Sequence, residues 1–155
     1  MPNRIVLTED SATRLRRELA ELQQKLKQVL GQLGEAAETG GNVWHDNFAY
    51  EQFTLQSQML SKQIKDLQDL LGQAEVVKPI PNKQAIRIGS TAKIEFSDGT
   101  ARTVTIGDRV SSNPNGGIVS YESPLGRALL GARKGDKRTF TVGQVVREIA
   151  VVEIL

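Results

Sequence analysis

His45 and Asp46 are adjacent side chains of types that can bind a metal ion, and Trp44 stands beside them in GGNVWHDNFAY, residues 40–50. Imidazole and carboxylate groups are ordinary ligands of divalent metals, but a complete site usually takes three or four protein ligands. The pair is therefore a weak signal, and the alternative is a solvated loop. His45 is the only histidine and the chain has no cysteine. We find no convincing Ser-His-Asp or Cys-His arrangement and no phosphate-binding glycine loop.

The charge of the chain is unevenly distributed. Its 155 residues carry a net charge of +2, but residues 1–75 hold 8 basic and 11 acidic side chains, and residues 76–155 hold 12 and 7. This difference indicates two modules, of which the basic one is better suited to acidic partners; an ordinary solvated surface is the alternative. The apolar runs are too short to span a bilayer and MPNRIVLTEDS lacks a signal sequence, so we expect a soluble cytoplasmic protein without membrane partners.

Two long heptad-like patterns flank the Trp44 segment. Apolar residues recur at spacings of 3 and 4 from Leu15 to Ala36 and again from Tyr50 to Ala74, with Ser57 as a polar exception. This period is typical of a coiled-coil seam. We expect Thr8 to cap the first helix, Gly40 and Gly41 to end it, and Asp46 or Asn47 to cap the second. A short connection then predicts an antiparallel hairpin at 1–76, about 45 Å long.

The second half of the chain has the two-residue period of β-strands. Pro79 and Pro81 predict a linker at 77–83, within the extended stretch EVVKPIPNKQ. Strand-like runs follow in IRIGSTAKIEFSDGTARTVTIGD, which turns at Ser97-Asp98-Gly99, and in GIVSYES, KRTFTV and VREIAVVEIL. One short helix begins at Ser123-Pro124 and stops at Gly131. The prediction is an α+β protein with a β-rich module at 84–155.

Three segments resemble the Gre family of bacterial transcript cleavage factors: TEDSATRLRRELAEL, DNFAYEQ and VSYESPLGRALLGARKGD. The most specific is SPLGRALLG followed by KGD, which is similar to the family's S-P-x-[AG]-x-x-[LI]-[LI]-G and G-D element. The resemblance covers essentially the whole chain. It implies an N-terminal antiparallel helical hairpin (coiled coil) and a C-terminal FKBP-like β-rich domain.

The resemblance also implies a partner, bacterial RNA polymerase, and an arrangement of the two modules upon it. The C-terminal domain docks at the rim of the secondary channel, and the hairpin enters the pore so that its tip approaches the catalytic Mg²⁺. The docking residues carried over from the family element are Ser123, Pro124, Leu125, Arg127, Leu129, Leu130 and Gly131. The factor is not itself an enzyme and has no cofactor of its own; it completes the polymerase's Mg²⁺-dependent RNA cleavage site.

The tip departs from the family pattern G-D-x-x-E-N-A-E-Y, whose Asp and Glu help to hold Mg²⁺ and a hydrolytic water. Aligned backward from Asn47 and Tyr50, Asp46 replaces the Glu and Val43 replaces the Asp. Aligned forward from Gly41, the Asp position falls on Asn42. Neither alignment leaves two carboxylates, and a ligand displaced by about 1 Å can cost about a hundredfold in rate. Asp46 is thus the sole catalytic candidate, and we expect no efficient cleavage.

The remaining tip residues, Trp44, His45 and Asn47, lie in a stretch without any Lys or Arg from Gln28 to Ser61. An electronegative tip suits the approach to a divalent ion, although a merely Gln-rich coiled-coil surface would look the same. Trp44 either packs on Phe48 as a hydrophobic staple or contacts the partner.

Two basic clusters are further candidates. Arg133, Lys134, Lys137 and Arg138 follow the SPLG element and suit electrostatic contact with polymerase or nucleic acid. Arg14, Arg16 and Arg17 lie on the first helix, where some family members are thought to meet the RNA 3′ end. A solvated charged surface is the alternative for both.

Three functional hypotheses follow. The first is a monomeric Gre-type factor that occupies the secondary channel and modulates transcription without efficient cleavage. It would inhibit the polymerase by blocking the pore. The second is a true cleavage factor in which Asp46, with Asn42 or His45, supplies enough of the Mg²⁺ site. The third is a coiled-coil adaptor or dimerisation module unrelated to polymerase.

Overall fold

The computed structural model describes residues 4–39, 48–78, 80 and 82–155, which form two compact units. One unit comprises residues 13–74. The other comprises the described residues up to Ala12 together with residues 75–155. In this division, the start of the chain groups with the C-terminal residues.

Two helices, α1 (Glu9–Thr39) and α2 (Phe48–Gln73), make up the helical hairpin. As the sequence predicts, Thr8 stands directly before α1, and its Oγ1 accepts a hydrogen bond from the Ser11 backbone N–H at 3.3 Å. Glu9 and Asp10 occupy the first turn, where the helix dipole favours acidic side chains. The expected ends at Gly40 and Gly41, and the expected cap at Asp46 or Asn47, lie outside the described residues.

The 3-4 pattern marks the buried face of each helix. Among the described residues of 13–73, every buried side chain belongs to one of the two patterns: Leu15, Val29, Ala36, Ser57, Leu60 and Ile64. Large apolar side chains off the pattern, such as Leu30, Leu55 and Met59, are exposed. The buried hydroxyl of Ser57 donates to the backbone oxygen of Thr54 at 2.8 Å, which satisfies the one polar position of the seam.

The seam prediction is wrong at its two ends on the second helix. Tyr50 is exposed, although it occupies a seam position. Ala74 lies in a strand rather than in α2, which ends at Gln73. The pattern therefore overestimates the burial of the first turn of α2 and the length of this helix at its end.

A five-stranded sheet forms the centre of the other unit. Its strands are β3 (Thr91–Phe96), β4 (Ala101–Gly107), β5 (Ile118–Ser120), β6 (Lys137–Val142) and β7 (Val145–Ile154), in the order β5-β4-β3-β7-β6. Neighbours are antiparallel except for the parallel pair β4 and β5. Helix α3 (Pro124–Leu129) contributes Leu129 to a core with Ile94, Ile106, Ile149 and Val151. The predicted α+β fold, with a helical hairpin and a β-rich domain, is confirmed.

A small sheet of two strands was missed by the sequence analysis. Strand β1 (Ile5–Thr8) pairs with β2 (Ala74–Val77), which covers the end of the predicted hairpin at 1–76 and the first residue of the predicted linker at 77–83. Each run is four residues long, and the two lie about 70 residues apart in the chain. Such short runs carry no readable period, and their pairing depends on contacts distant in sequence.

Asp108 joins the beginning of α1 to the end of β4. Its Oδ2 accepts hydrogen bonds from the backbone N–H of Thr8 at 2.7 Å and from the Thr8 hydroxyl at 2.9 Å. Its Oδ1 accepts from the backbone N–H groups of Val110 at 3.0 Å and Ser111 at 2.8 Å. The residue is 0% exposed. A buried carboxylate needs several hydrogen bonds, because removal from water destabilises its charged form.

The protonation of Asp108 follows from the same contacts. Burial disfavours the charged form and acts to raise the pKa, but hydrogen bonds from Thr8, Ser11 and Ser111 outweigh it and hold the pKa of Asp108 below its ordinary value of 3.8. A depressed pKa in the folded state means that the carboxylate stabilises the fold above the unfolded-state pKa. This contribution is lost as the pH falls through the folded-state pKa.

Replacing Asp108 by Asn tests this arrangement. We expect Asp108→Asn to lower the free energy of unfolding at neutral pH by about 2–3 kcal/mol, because the amide has one acceptor oxygen for four donors. Urea unfolding measured from about pH 6 down to about pH 3 should show a smaller loss of stability in the variant than in the parent protein. Asp98→Asn, on an exposed turn, is the control. An equal effect of both variants would contradict a special role for Asp108.

Two glycines of α1 give a second test. Gly31 and Gly34 lie in the helix interior, and a Cβ built on either would meet no heavy atom within 4 Å. Gly31→Ala and Gly34→Ala should each raise the free energy of unfolding by about 0.5–1 kcal/mol, because Ala loses less backbone entropy in a helix. Thermal or urea unfolding measures this. Gly126→Ala in α3 should have the opposite sign, since its Cβ would overlap the backbone of Ser120. Destabilisation by Ala at all three positions would contradict the free space around Gly31 and Gly34.

Candidate functional site

The tip candidates Asn42, Val43, Trp44, His45, Asp46 and Asn47 lie outside the described residues. The helices that lead to them are described: α1 reaches Thr39 and α2 begins at Phe48. Glu35, Glu38 and Glu51 are exposed on these helices. The Phe48 side chain is 74% exposed. Its predicted staple contact with Trp44 involves a residue outside the described range.

The segment from Ser123 to Gly131 forms a tightly capped turn of helix. Ser123 is the N-cap of α3, and its Oγ accepts from the Gly126 N–H at 3.0 Å while donating to the Ser120 backbone oxygen at 2.7 Å. Pro124 follows in the first turn, where its missing N–H is not needed. The Ser-Pro pair thus fixes where the helix starts and in which direction it leaves β5.

Gly126 is required by the close approach of α3 to the chain after β5. A Cβ at this position would collide with the backbone of Ser120 and Tyr121. At the other end, Gly131 has φ of +76° and donates its N–H to the Ile86 backbone oxygen at 2.8 Å. The Ile86 N–H in turn donates to the Ala132 oxygen at 2.8 Å. Gly126 therefore allows the short helix to pack closely against Ser120, and the hydrogen bond of Gly131 connects the end of the helix to Ile86.

Only part of the predicted docking set faces solvent. Leu129 is 0% exposed and belongs to the core, while Leu125 and Leu130 are half-buried against it. Ser123 is half-buried and occupied as the cap. Pro124, Arg127 and Gly131 are exposed. Any partner that approaches this element meets the ring of Pro124 and the guanidinium of Arg127, because the leucines are occupied in packing.

The basic cluster after α3 is exposed and organised around one aspartate. The Asp136 carboxylate accepts from the Arg133 backbone N–H at 3.0 Å and pairs with the Arg138 guanidinium at 3.2 Å. The backbone hydrogen bond from Arg133, followed by the bond from Arg138, holds the pKa of Asp136 below its usual range. The side chains of Arg133, Lys134 and Lys137 have no carboxylate within ion-pair distance among the described residues. They are the cations of this cluster that an acidic partner could neutralise.

Arg14, Arg16 and Arg17 are exposed on α1. Their side chains lie in a different compact unit from the basic cluster around Asp136. Each unit therefore has a basic surface of its own.

Asp108 and Tyr121 are the residues that sequence reasoning missed. The Tyr121 hydroxyl accepts from the Val6 backbone N–H at 3.2 Å, and Asp108 binds Thr8. A partial signal existed, because Asp108 directly follows a strand-like run and precedes Ser111 in a pattern typical of an Asx turn. The bonds to Val6 and Thr8, about 100 residues away, had no sequence signal.

The described residues contain no cluster of three or more His, Asp or Glu side chains that could hold a metal ion. Within the same ranges, neither helix of the hairpin nor α3 has the length and apolarity needed to cross a bilayer.

Comparison with known proteins assigns both halves of the chain to one family. Residues 5–76 match the family model "Transcription elongation factor, N-terminal", and residues 81–155 match "Transcription elongation factor, GreA/GreB, C-term". Transcription elongation factor GreA of Chloroflexus aurantiacus is 31% identical over 150 residues, 96% of this chain and 95% of that protein. GreA of Thermomicrobium roseum is 30% identical over 135 residues, 86% and 85% of the two chains.

Among solved structures, the GreA factor homolog 1 (Gfh1) of Thermus thermophilus is 25% identical and covers 99% of both chains, with a TM-score of 0.46. The assignment rests on the sequence matches, which extend over nearly every residue of both units. The chain belongs to the GreA/GreB family of transcription elongation factors.

Proposed function

We propose that this chain binds bacterial RNA polymerase at the rim of its secondary channel, inserts the helical hairpin into the pore and modulates transcription without efficient transcript cleavage. Occupation of the pore would hinder the polymerase, so the expected effect is inhibitory. Its working site would be the polymerase in the bacterial cytoplasm. The observation that carries the proposal is the tip sequence of residues 41–47, in which a family member has one carboxylate where cleavage-competent members have two.

The chemistry of the tip supports this reading. Mg²⁺ is a hard cation that is held by acidic oxygens and retains several waters. A second metal ion at the polymerase's own centre needs an added carboxylate pair to be held in place and to orient the attacking water. Asp46 alone offers half of that pair, and Asp is one methylene shorter than Glu. The factor would then occupy the channel while the polymerase lacks the completed hydrolytic site.

The exposed part of the SPLG element supports a docking role. Pro124 and Arg127 face solvent on a short helix whose start is fixed by Ser123 and whose close packing requires Gly126. A rigid presentation loses little conformational entropy on binding. The neighbouring cations Lys134 and Lys137 would add electrostatic attraction to an acidic surface.

The remaining basic surface is assigned by the same proposal to RNA. Arg14, Arg16 and Arg17 are exposed on α1, and arginine guanidinium groups pair well with phosphate oxygens. They would contact the 3′ end of the nascent RNA. The buried faces of α1 and α2 are already occupied by packing within one chain, which supports a monomer.

A transcript cleavage assay separates the proposal from its rival. Stalled, backtracked elongation complexes of the cognate polymerase are incubated with Mg²⁺ and the purified factor. We expect bound factor and a rate of 3′-end trimming at least about a hundredfold below that of a factor with both tip carboxylates. A variant with Val43→Asp and Asp46→Glu, which restores the pair in one alignment, should gain trimming. Rapid trimming by the parent protein that is lost in Asp46→Ala would overturn the proposal in favour of a true cleavage factor.

Docking is tested by charge reversal at one exposed arginine. Arg127→Glu should weaken binding to immobilised core polymerase about tenfold or more, because it removes one attractive contact and adds a repulsive one. Lys93→Glu is the matched control, since Lys93 is an exposed cation on β3 rather than on α3. Equal weakening by both variants would mean that only the total charge matters. Absence of any polymerase binding would instead favour the unrelated adaptor.

A further inference from the structure

Strand β6 is the longer of the two edge strands of the five-stranded sheet. The edges of the sheet are β5 and β6, and they differ in kind. β5 has three residues, and Asn113 forms a further bridge to Ile118 at its start. β6 has six residues in an antiparallel ladder with β7. An edge strand of this length is a template for another strand unless it is protected.

The free hydrogen-bonding groups of β6 can be assigned from its register. Val142 is paired with Val145 across the two-residue turn at Gly143, so this pair closes the hairpin with mutual hydrogen bonds. Alternation along the ladder then turns the N–H and C=O groups of Lys137, Thr139 and Thr141 away from β7. None of the hydrogen bonds found among the described residues reaches these backbone groups. They are available to an incoming strand.

The edge is held rigidly from within. Phe140 is buried, and its ring meets that of Phe96 edge-on with centroids 6.5 Å apart. Thr139 and Thr141, on either side of it, are exposed. Because the inward side chain fixes the strand, an added strand would find it already in the required conformation, which lowers the entropy cost of binding.

The chemistry of the edge changes along its length. Lys137 and Arg138 begin it, after Arg133 and Lys134. The Asp136 carboxylate already forms an ion pair with Arg138. On the neighbouring strand β7, Glu148 lies opposite Thr139.

At the other end of β6, exposed apolar side chains flank the turn that joins β6 to β7. Val142, Val145 and Val146 are 52%, 58% and 68% exposed.

We propose that β6 is a strand-addition site for an extended segment of a partner protein that sets Asp or Glu beside Lys137 and β-branched or apolar residues beside Thr139–Val142. Backbone hydrogen bonds would supply much of the affinity, and the charge gradient would select the segment and its direction. A second copy of this chain fits less well, because β6 has no acidic residue and its unit is basic. The inference does not depend on polymerase binding through α3.

A free peptide is the probe. The peptide Val-Thr-Val-Thr-Val-Glu-Asp, whose acidic end meets Lys137 in the antiparallel direction, is titrated into the isotope-labelled full chain by NMR. We expect a Kd on the order of 10–100 µM, typical of a short added strand, with the amides of residues 137–142 shifting most and gaining protection from exchange. Peptides with Lys-Lys in place of Glu-Asp, or with a scrambled order, should bind at least about tenfold more weakly.

Two variants with a matched control decide whether the edge itself is used. Thr139→Pro removes an outward N–H and should abolish peptide binding, with unchanged circular dichroism as the check on folding. Lys137→Glu should lower the affinity for the acidic peptide at least about fivefold and raise the affinity for the Lys-Lys peptide. Lys93→Glu, on the central strand β3, should change either affinity less than about twofold.

Several outcomes would overturn the proposal. These are equal binding of the scrambled peptide, equal effects of Lys137→Glu and Lys93→Glu, or no binding of the acidic peptide at millimolar concentration. A concentration-dependent dimer in sedimentation that Thr139→Pro abolishes would instead assign the edge to a second copy. Tighter binding of a single-stranded RNA oligomer than of the peptide, lost in Lys137→Glu, would assign the cluster to nucleic acid.

Discussion

The carboxylate of Asp108 is the contact on which the unit built from both ends of the chain depends. It gives up all of its water and receives four hydrogen bonds, two from Thr8 and two from the turn that follows β4. Thr8 itself caps α1 by accepting from Ser11. One charged group therefore determines where α1 begins and keeps the first strand with the C-terminal sheet. A neutral or unpaired group in its place would leave backbone donors buried without partners.

The family element around α3 combines a folding role with a proposed docking role, and its sequence pattern does not distinguish the two. Most of its residues shape the turn: Ser123 caps the helix, Gly126 permits close packing and Leu129 fills the core. Pro124 and Arg127 are exposed and are the two residues of the element that we propose for contact with a partner. A motif that identifies the family thus contains more folding information than binding information. This is why recognition of the motif defines the fold more firmly than it defines the interface.

The hairpin illustrates the separation of fold from function within one family. Packing of its two helices depends on the apolar seam, in which Val29, Leu60 and Ile64 are buried. The chemistry proposed for the tip requires particular carboxylates in a few residues that the seam does not constrain. A chain can therefore keep the hairpin and the docking unit while its tip changes. Under the proposed function, membership of the family is compatible with either cleavage or obstruction, and the difference would lie in the few residues of the tip.

The sequence by itself determined the features that arise locally. The 3-4 pattern predicted α1 and α2, Thr8 predicted the start of α1, and the two-residue period with Ser97-Asp98-Gly99 predicted β3 and β4, because each signal lies within a few residues of the element it defines. Only the tertiary structure decided the pairing of β1 with β2, the burial of Asp108, the order of strands that leaves β6 at an edge, and which docking residues remain exposed. The β1–β2 pairing and the Thr8–Asp108 contact join residues about 70 to 100 positions apart, and the strand order depends on β3–β7 pairs that are more than 50 positions apart. No local pattern predicts the free energy of such contacts.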